Sequence, residues 1–431
     1  MKATEDIREL PKDWKWEKLD DALDFVIGGD WGKDENFEDP NYGLAYCIRG
    51  SEIKNWDEEK GRTASIRKIK LSNIEKRKLI EGDILVEISG GGPEQPVGRT
   101  VLIDKTVLSY KPEVPKICTN FLRLIRPKDY VEGKFLNLYL KLFYYSGEIV
   151  KYQGGSNNLR NLKFPDYVKI NFPLPPKPTQ QAIVSKIEEL FSELDKGIEQ
   201  LKTAQQQLKT YRQAVLKYAF EGKLTNENVK DGELPEGWEI VKISDLGRIE
   251  TGTTPSKSNP DFYGDEYPFY KPTDLEASEN VFKSRDGLTK LGVEAARYVP
   301  ENSTLVTCIG ATIGKTGLIK KGGGFNQQIN AIVPNKNMNP KFIYYQTIGL
   351  HFQKQIVDNA SATTLPIINK GKFQLLDMTV CPIKEQNKIV QEIETRLSVA
   401  DKMEESITQS LQQAAALRQS ILKKAFEGRL M

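Results

Sequence analysis

Histidine is almost missing: His351 is the only one in 431 residues. One imidazole cannot furnish a His-rich metal site, an HNH nuclease centre or a Ser/His/Asp relay twice over. The four cysteines, Cys47, Cys118, Cys308 and Cys381, form no C-x-x-C pair, which argues against a zinc ribbon or a redox motif. Scattered in this way, they suit buried thiols in a reducing compartment. No stretch approaches the roughly 18 consecutive apolar residues of a membrane-spanning helix. The opening MKATEDIRELPKDW lacks the apolar region of a signal peptide. An excess of one charge sign is lacking too: 62 Lys and Arg face 59 Asp and Glu, a net charge of +3. That excludes a globally basic nucleic-acid coat and leaves local basic patches open.

What is present is a long, charged chain of soluble character, with 39% hydrophobic and 28% charged residues. Length alone suggests about three domains. An internal repeat replaces that estimate. AFEGKL at 219–224 returns as AFEGRL at 425–430, an offset of 206. At the same offset Pro176 meets Pro382, Gln180 meets Gln386, Ile183 meets Ile389, Val184 meets Val390, Ile187 meets Ile393 and Glu188 meets Glu394. Upstream, LPKDW at 10–14 matches LPEGW at 234–238 at offset 224, and IGG at 27–29 falls near ETG at 250–252. The chain is therefore a globular region and a helical one, repeated: 1–172, 173–224, 225–380 and 381–431.

Both helical regions carry a narrow apolar seam in steps of three and four. The first runs through Ile183, Ile187, Leu190, Leu194, Ile198, Leu201, Leu208, Val215 and Ala219. The second runs through Ile389, Ile393, Leu397, Ala400, Ile407, Leu411, Ala414 and Ile421. This is the seam of a coiled coil, with a stutter between 194 and 198. Thr179 is the expected N-cap of the first helix and Gly222 its stop. Each helix, at about 42 residues, spans on the order of 63 Å. So narrow a stripe requires a partner, and the nearest partner is the other copy.

The globular regions mix strand-like runs (82–89, 119–127, 303–310, 330–335) with helix-like runs (133–153, 339–360), each of the latter followed by a small polar loop. Those loops are GGSNNLRNL at 154–162 and SATTLPIIN at 361–369. No catalytic constellation emerges. GATIGKT at 310–316 has three residues between its glycines where a phosphate-binding P-loop needs four. SGGGPEQP at 89–96 is not a dinucleotide fingerprint, and EGK at 221–223 reads as a helix end because its copy is EGR. No N-P-P-[FY] or D-P-P-Y motif of an amino-methyltransferase is present.

Taken together, PLPPKPTQQAIVSKIEELFSELD (173–195), AVLKYAFEGKL (214–224), LPEGW (234–238), GTTPSKSNPDFYGDEYPFYKPTDL (252–275), NQQINAIVP (326–334), CPIKEQNKIVQEIE (381–394) and SILKKAFEGRL (420–430) resemble the specificity subunit of Type I restriction–modification systems. The likeness covers essentially the whole chain. In the first globular half, IGGDWGKDENFEDPNYG (27–43) departs from the G-T-T-P-S form of the second. The resemblance implies an α+β fold, with two α/β target recognition domains joined by two long antiparallel helices acting as a ruler. It implies double-stranded DNA as ligand, read as a bipartite asymmetric site. It also implies two modification (methyltransferase) subunits as partners and, where restriction is carried out too, two restriction (motor-nuclease) subunits. The chain itself would catalyse nothing and hold no cofactor. S-adenosylmethionine would sit in the modification subunit, which methylates adenine, and ATP and Mg in the motor-nuclease subunit. A cytoplasmic, membrane-free location follows from the same resemblance.

Candidate DNA contacts follow from residue type. The most basic window, 66–78, holds Arg67, Lys68, Lys70, Lys76, Arg77 and Lys78, either a solvated face or a set of phosphate anchors. Candidate base readers are Arg49, Ser51, Gln95, Arg99, Asn157, Asn158 and Arg160 in the first half. In the second they are Lys271, Thr273, Thr312, Lys315, Thr363 and Thr364. Arginine suits guanine and Asn or Gln suits adenine; taken singly, each reads as an ordinary surface or turn residue before a base reader. Asn326, Gln327 and Gln328 read as internal hydrogen bonding, Trp14 and Trp238 as core anchors. Tyr263, Tyr267 and Tyr270 read as core packing before base stacking. Two rival functions remain at this point: a coiled-coil scaffold with protein- or glycan-binding heads, and a self-contained modification–restriction enzyme.

Overall fold

A computed structural model of the chain describes residues 9–92, 94–155, 159–226, 228–361 and 365–430. Six helices matter below: α1 (Leu71–Arg77), α2 (Gly133–Tyr145), α3 (Lys177–Phe220), α4 (Pro340–Thr347), α5 (Leu350–Asn359) and α6 (Ile383–Phe426). The chain divides into two compact units, residues 1–200 with 410–431, and residues 201–409. Each unit holds one α/β head and one part of each long helix.

In the first unit an antiparallel sheet runs in the order Leu23–Gly28, Leu122–Pro127, Ile84–Glu87, Thr100–Leu102. A second sheet sets Tyr42–Ile48 between Ser65–Lys70, antiparallel, and Lys116–Cys118, parallel. Lys15–Lys18 pairs with Asn171–Leu174, so the head begins and ends on one ribbon. The second unit repeats all three. Its four strands are Gly247–Thr251, Ile329–Pro334, Thr304–Thr307 and Thr316–Leu318. Its second sheet sets Tyr263–Tyr270 between Asp286–Leu288 and Gly324–Phe325, and Glu239–Lys242 pairs with Asp377–Val380. The strand runs at 82–89, 119–127, 303–310 and 330–335 thus form the cores of the two main sheets.

Two helix-like runs are shorter than the sequence suggests. The run at 133–153 is helical only to Tyr145, because Gly147 turns the chain at φ +83° before a single 3-10 turn, Glu148–Tyr152. The run at 339–360 is two helices separated at Gly349. The helix α3 also starts earlier than a Thr179 cap would allow. Its first turn is set by the Pro176 carbonyl, which accepts the Thr179 and Gln180 N–H groups at 2.9 and 3.1 Å. Pro175 and Pro176 lack the N–H that a preceding strand would need, and Pro178 fits a first turn, where no donor is required. At the other end Gly222 and Gly428 stop the helices at φ +78° and +69°.

The helices dock on the heads by one joint, built in each unit. In the first, Ile183, Ile187, Leu422, Ala425 and Phe426 share a core with Phe135, Leu136, Tyr139 and Phe172. The Gln180 carboxamide is wholly buried; it accepts from the Glu132 N–H at 2.7 Å and donates to the Tyr130 and Pro175 carbonyls. In the second, Ile389, Ile393, Val215, Leu216 and Ala219 pack with Trp238, Phe342 and Tyr345. Gln386 accepts from the Asn339 N–H at 2.9 Å and donates to the Cys381 carbonyl at 2.7 Å. Lys134 pairs with Glu188 and Lys341 with Glu394. Trp14 and Trp238 both pack into these cores. In the second unit Arg212 pairs with Asp401 and Glu404, while Ala219, further along the same helix, packs with Ile389 and Ile393, so numbers rise on one helix as they fall on the other: the helices are antiparallel there. In the first unit Asp195 pairs with Arg418.

Candidate nucleic-acid interface

Strand register collects the loops. In the first head Gly28, Arg123, Val86 and Thr100 stand in one row across the main sheet. In the second the row is Thr251, Asn330, Val306 and Thr316. From this end of each sheet leave the segments 29–33, 88–99 and 119–121, and their counterparts 252–254, 308–315 and 326–328. Backbone bonds match one for one. Glu87 N–H donates to the Arg99 carbonyl at 2.9 Å, as Thr307 does to Lys315 at 2.8 Å. Thr119 donates to Ile48 at 2.9 Å, as Asn326 does to Tyr270 at 3.1 Å. Gly29 and Gly252 hold the first segment against the third, since a Cβ at either would lie about 2 Å from a carbonyl oxygen. This is the physical reason that IGG and ETG align.

The same pairing explains GATIGKT. Gly310 and Gly314, at φ +99° and +86°, frame a turn whose counterpart is framed by Gly90 and Gly98, at +108° and +103°. It is a hairpin loop between two sheet strands, not a strand–loop–helix cradle for phosphate.

The candidate residues of the first head converge here. Arg99 binds the Glu87 carboxylate with two bonds, 2.8 Å from Nε and 2.5 Å from Nη2, and Nη2 also donates to the Gly50 carbonyl at 3.2 Å. With its amide turned to accept, Gln95 meets the Arg99 guanidinium at 3.1 Å. Arg49 binds Glu52 at 2.6 Å, and the Ser51 hydroxyl donates to the same carboxylate at 3.0 Å. Arg160 pairs by its backbone with Gly91. Glu87 is only 1% exposed. Its hydrogen bonds raise the pKa of Arg99 against the opposing effect of burial. A cavity of about 450 Å³, lined by Gln95, Arg99, Lys54, Lys141 and Tyr144, adjoins this network.

In the second head the equivalent places hold different chemistry. Thr307 replaces Glu87, and Lys315 turns instead to the exposed Glu276 at 2.8 Å. Lys271 pairs with Asp286, and its backbone N–H donates to Asp274 at 2.8 Å. Thr273 and Thr312 are exposed. Asn157, Asn158, Thr363 and Thr364 lie outside the described residues. Asn326 and Gln328 bond each other, and Gln327 takes the Thr254 hydroxyl. Tyr270 is buried, Tyr263 donates to the Pro255 carbonyl and Tyr267 packs edge-on against Tyr298.

The basic window divides by role. Arg67 stacks on Trp31 at 4.4 Å, and Arg77 donates to the Gly28 carbonyl at 2.9 Å, so both brace the segment 28–34. Lys70, Lys76 and Lys78 are exposed and Lys68 half-buried, and none forms a described ion pair. Sequence reading missed their counterpart. Arg297 donates to the Thr251 carbonyl at 2.9 Å, as Arg77 does to Gly28, and exposed Lys283, Arg285 and Lys290 precede it in sequence. Glu279, Asp286, Glu294 and Glu301, interleaved with them, hide this set from a charge count; the second-sheet pairing reveals it.

A family model, the Type I restriction modification DNA specificity domain, matches residues 11–203 and again 235–413. The chain belongs to this family. The resemblance carried by the repeated motifs is thereby borne out, and both copies of the domain span a head together with most of a long helix. Among relatives, this specificity-subunit chain is 24% identical to the Type I restriction enzyme EcoKI specificity subunit of Escherichia coli K12, over 98% of this chain and 90% of that one. It is 36% identical to the HindI specificity subunit of Haemophilus influenzae over 38% of this chain and 37% of that one. The solved structure of the HsdS subunit from Thermoanaerobacter tengcongensis superposes with a TM-score of 0.62 at 19% identity, covering 99% of this chain and all of that one. No described helix is long and apolar enough to cross a membrane.

Proposed function

We propose that this specificity subunit reads a bipartite, asymmetric site on double-stranded DNA and directs adenine methylation, and restriction where motor-nuclease subunits join, by its partners. The observation that carries this reading is one recognition edge built twice with different side chains: Glu87–Arg99 in one head, Thr307 and Lys315 in the other. Identical heads would read a palindrome; these read two different half-sites. Phosphate contacts fall to the lysines of 66–78 and of 283–290, and base contacts to the loops beside them.

Two modification subunits dock on the helix pair. In the second unit the pair carries an apolar groove of about 780 Å³ lined by Leu208, Tyr211, Val399, Met403 and Ile407. Tyr211, Val399 and Met403 are 41%, 50% and 53% exposed, the pattern of a helical surface awaiting another helix. S-adenosylmethionine is held by those modification subunits, and ATP and Mg by the motor-nuclease subunits. The complex works in the cytoplasm.

Co-expression with a cognate modification subunit, followed by sequencing of methylated bases in the host genome, tests the whole reading. The expected result is co-purification and adenine methylation at a motif with two unlike halves and a fixed gap. A palindromic motif, or no methylation by a co-purified complex, would overturn it.

A further inference from the structure

Leu162 and Ile368, at the ends of the described segments 159–162 and 365–368, are fastened to their sheets by the same bond. Leu162 N–H donates to the Ile88 carbonyl at 2.9 Å, and Ile368 N–H to the Cys308 carbonyl at 2.9 Å. Three residues before each anchor stands a leucine, Leu159 and Leu365. Both point outward, 53% and 52% exposed. A single exposed leucine needs no cause. The same residue, at the same step from the same anchor and with the same exposure, in loops otherwise as different as GGSNNLRNL and SATTLPIIN, does.

Both leucines belong to the recognition edge. Arg160, next to Leu159, pairs with Gly91 of the reading loop. In the second head Gly310 N–H donates to the Pro366 carbonyl at 3.0 Å, and a Cβ on Gly310 would lie 3.9 Å from the Leu365 side chain. Leu365 therefore stands beside Gly310, and Leu159 directly precedes the residue paired with Gly91, so both lie next to the glycine turns that open the reading loops. On a duplex, an apolar side chain can touch a thymine methyl in the major groove or enter the stack between base pairs. The two heads differ at the paired reading positions, Glu87 and Arg99 against Thr307 and Lys315, and so read different bases. A residue common to both cannot be the reader of one base, whereas a wedge into the stack is indifferent to sequence.

We propose that Leu159 and Leu365 each enter the base stack of their own half-site and open one base step there. This rests on the reading of the heads as DNA-binding. The test uses the subunit assembled with its modification subunits, on duplexes carrying 2-aminopurine at successive places in each half-site. Binding should raise the fluorescence at one step per half-site. Leu159→Ala should abolish the rise in the first half-site only and Leu365→Ala in the second only, while Leu→Met at either place keeps it. Affinity should fall roughly tenfold for each alanine variant and recover on a duplex mismatched at the opened step. A rise that survives both alanine changes overturns the wedge, and so does a loss of affinity that disappears when thymine is replaced by uracil, which would assign a methyl contact. In either case specific binding by the unaltered complex keeps the DNA reading intact. Equal binding of specific and scrambled duplexes would overturn both.

Discussion

At the scale of single residues, Arg99 and Lys315 occupy equivalent places and should respond differently to removal. Arg99 neutralises a buried carboxylate, so Arg99→Ala leaves Glu87 charged, dry and unpaired, at a cost of about 3–5 kcal/mol. The variant should melt earlier as well as relax the first half-site. Adding Glu87→Ala should restore much of the melting temperature and none of the discrimination, which separates the two effects. Lys315 faces an exposed partner, so Lys315→Ala should leave thermal unfolding nearly unchanged and relax only the second half-site. Selection from randomised duplexes reads both outcomes, and relaxation at the wrong half-site would refute the assignment. Combined Lys70→Ala, Lys76→Ala and Lys78→Ala should instead weaken all sequences alike and lower the slope of log affinity against log salt by about one for each lost phosphate contact. Residue type made Arg99 visible in the sequence. Its partner was not visible, because Glu87 lies on a different strand and is brought opposite by sheet register alone.

At the scale of elements, the head–helix joint is the most exact part of the repeat. Gln180 and Gln386 align in sequence, but their work, bonding the start of a head helix to the start of a long one, depends on the fold. Gln386→Ala leaves the buried Cys381 carbonyl without this partner, at a cost of about 1–3 kcal/mol, and frees the half-buried Asn339 N–H. Denaturant melts should show that loss, and a loss below about 0.5 kcal/mol would mean that the joint is held by packing alone. The same joint gives unit two an acid limit. Burial pushes the Glu279 carboxyl up, but bonds from Lys341 at 2.7 Å and Tyr345 at 2.6 Å push it further down, below the usual carboxylate value. A group with a folded pKa below its unfolded value stabilises above the unfolded value and loses that contribution as pH falls through the folded one. Glu279→Gln should therefore flatten the decline in stability below about pH 4.3. Periodicity located every long element here. It overran at Gly147 and Gly349, where one residue ends a helix that the apolar pattern would continue, and it put the start of α3 at Thr179, where the prolines had already begun it.

At the scale of the whole molecule, the repeat turned a three-domain estimate into two heads on a shared helix pair, and the antiparallel pairing changes how the ruler must be tested. An insertion in one helix alone would break register, because Asp195 with Arg418 and Arg212 with Asp401 fix it at two points. The lengthening must be matched: four residues in α3 between those points and four in the facing stretch of α6. That adds about 6 Å of helix, equivalent to about two base pairs of duplex. The methylated motif should then keep both half-sites and gain a longer gap, because neither recognition edge is touched. An unchanged gap, in a complex that still methylates both halves, would show that something other than the helix pair sets the spacing. The loss of one half-site with the other retained would show that the insertion had disturbed a head. The gap therefore reports on the helices and the half-sites report on the heads, and one methylation map measures both.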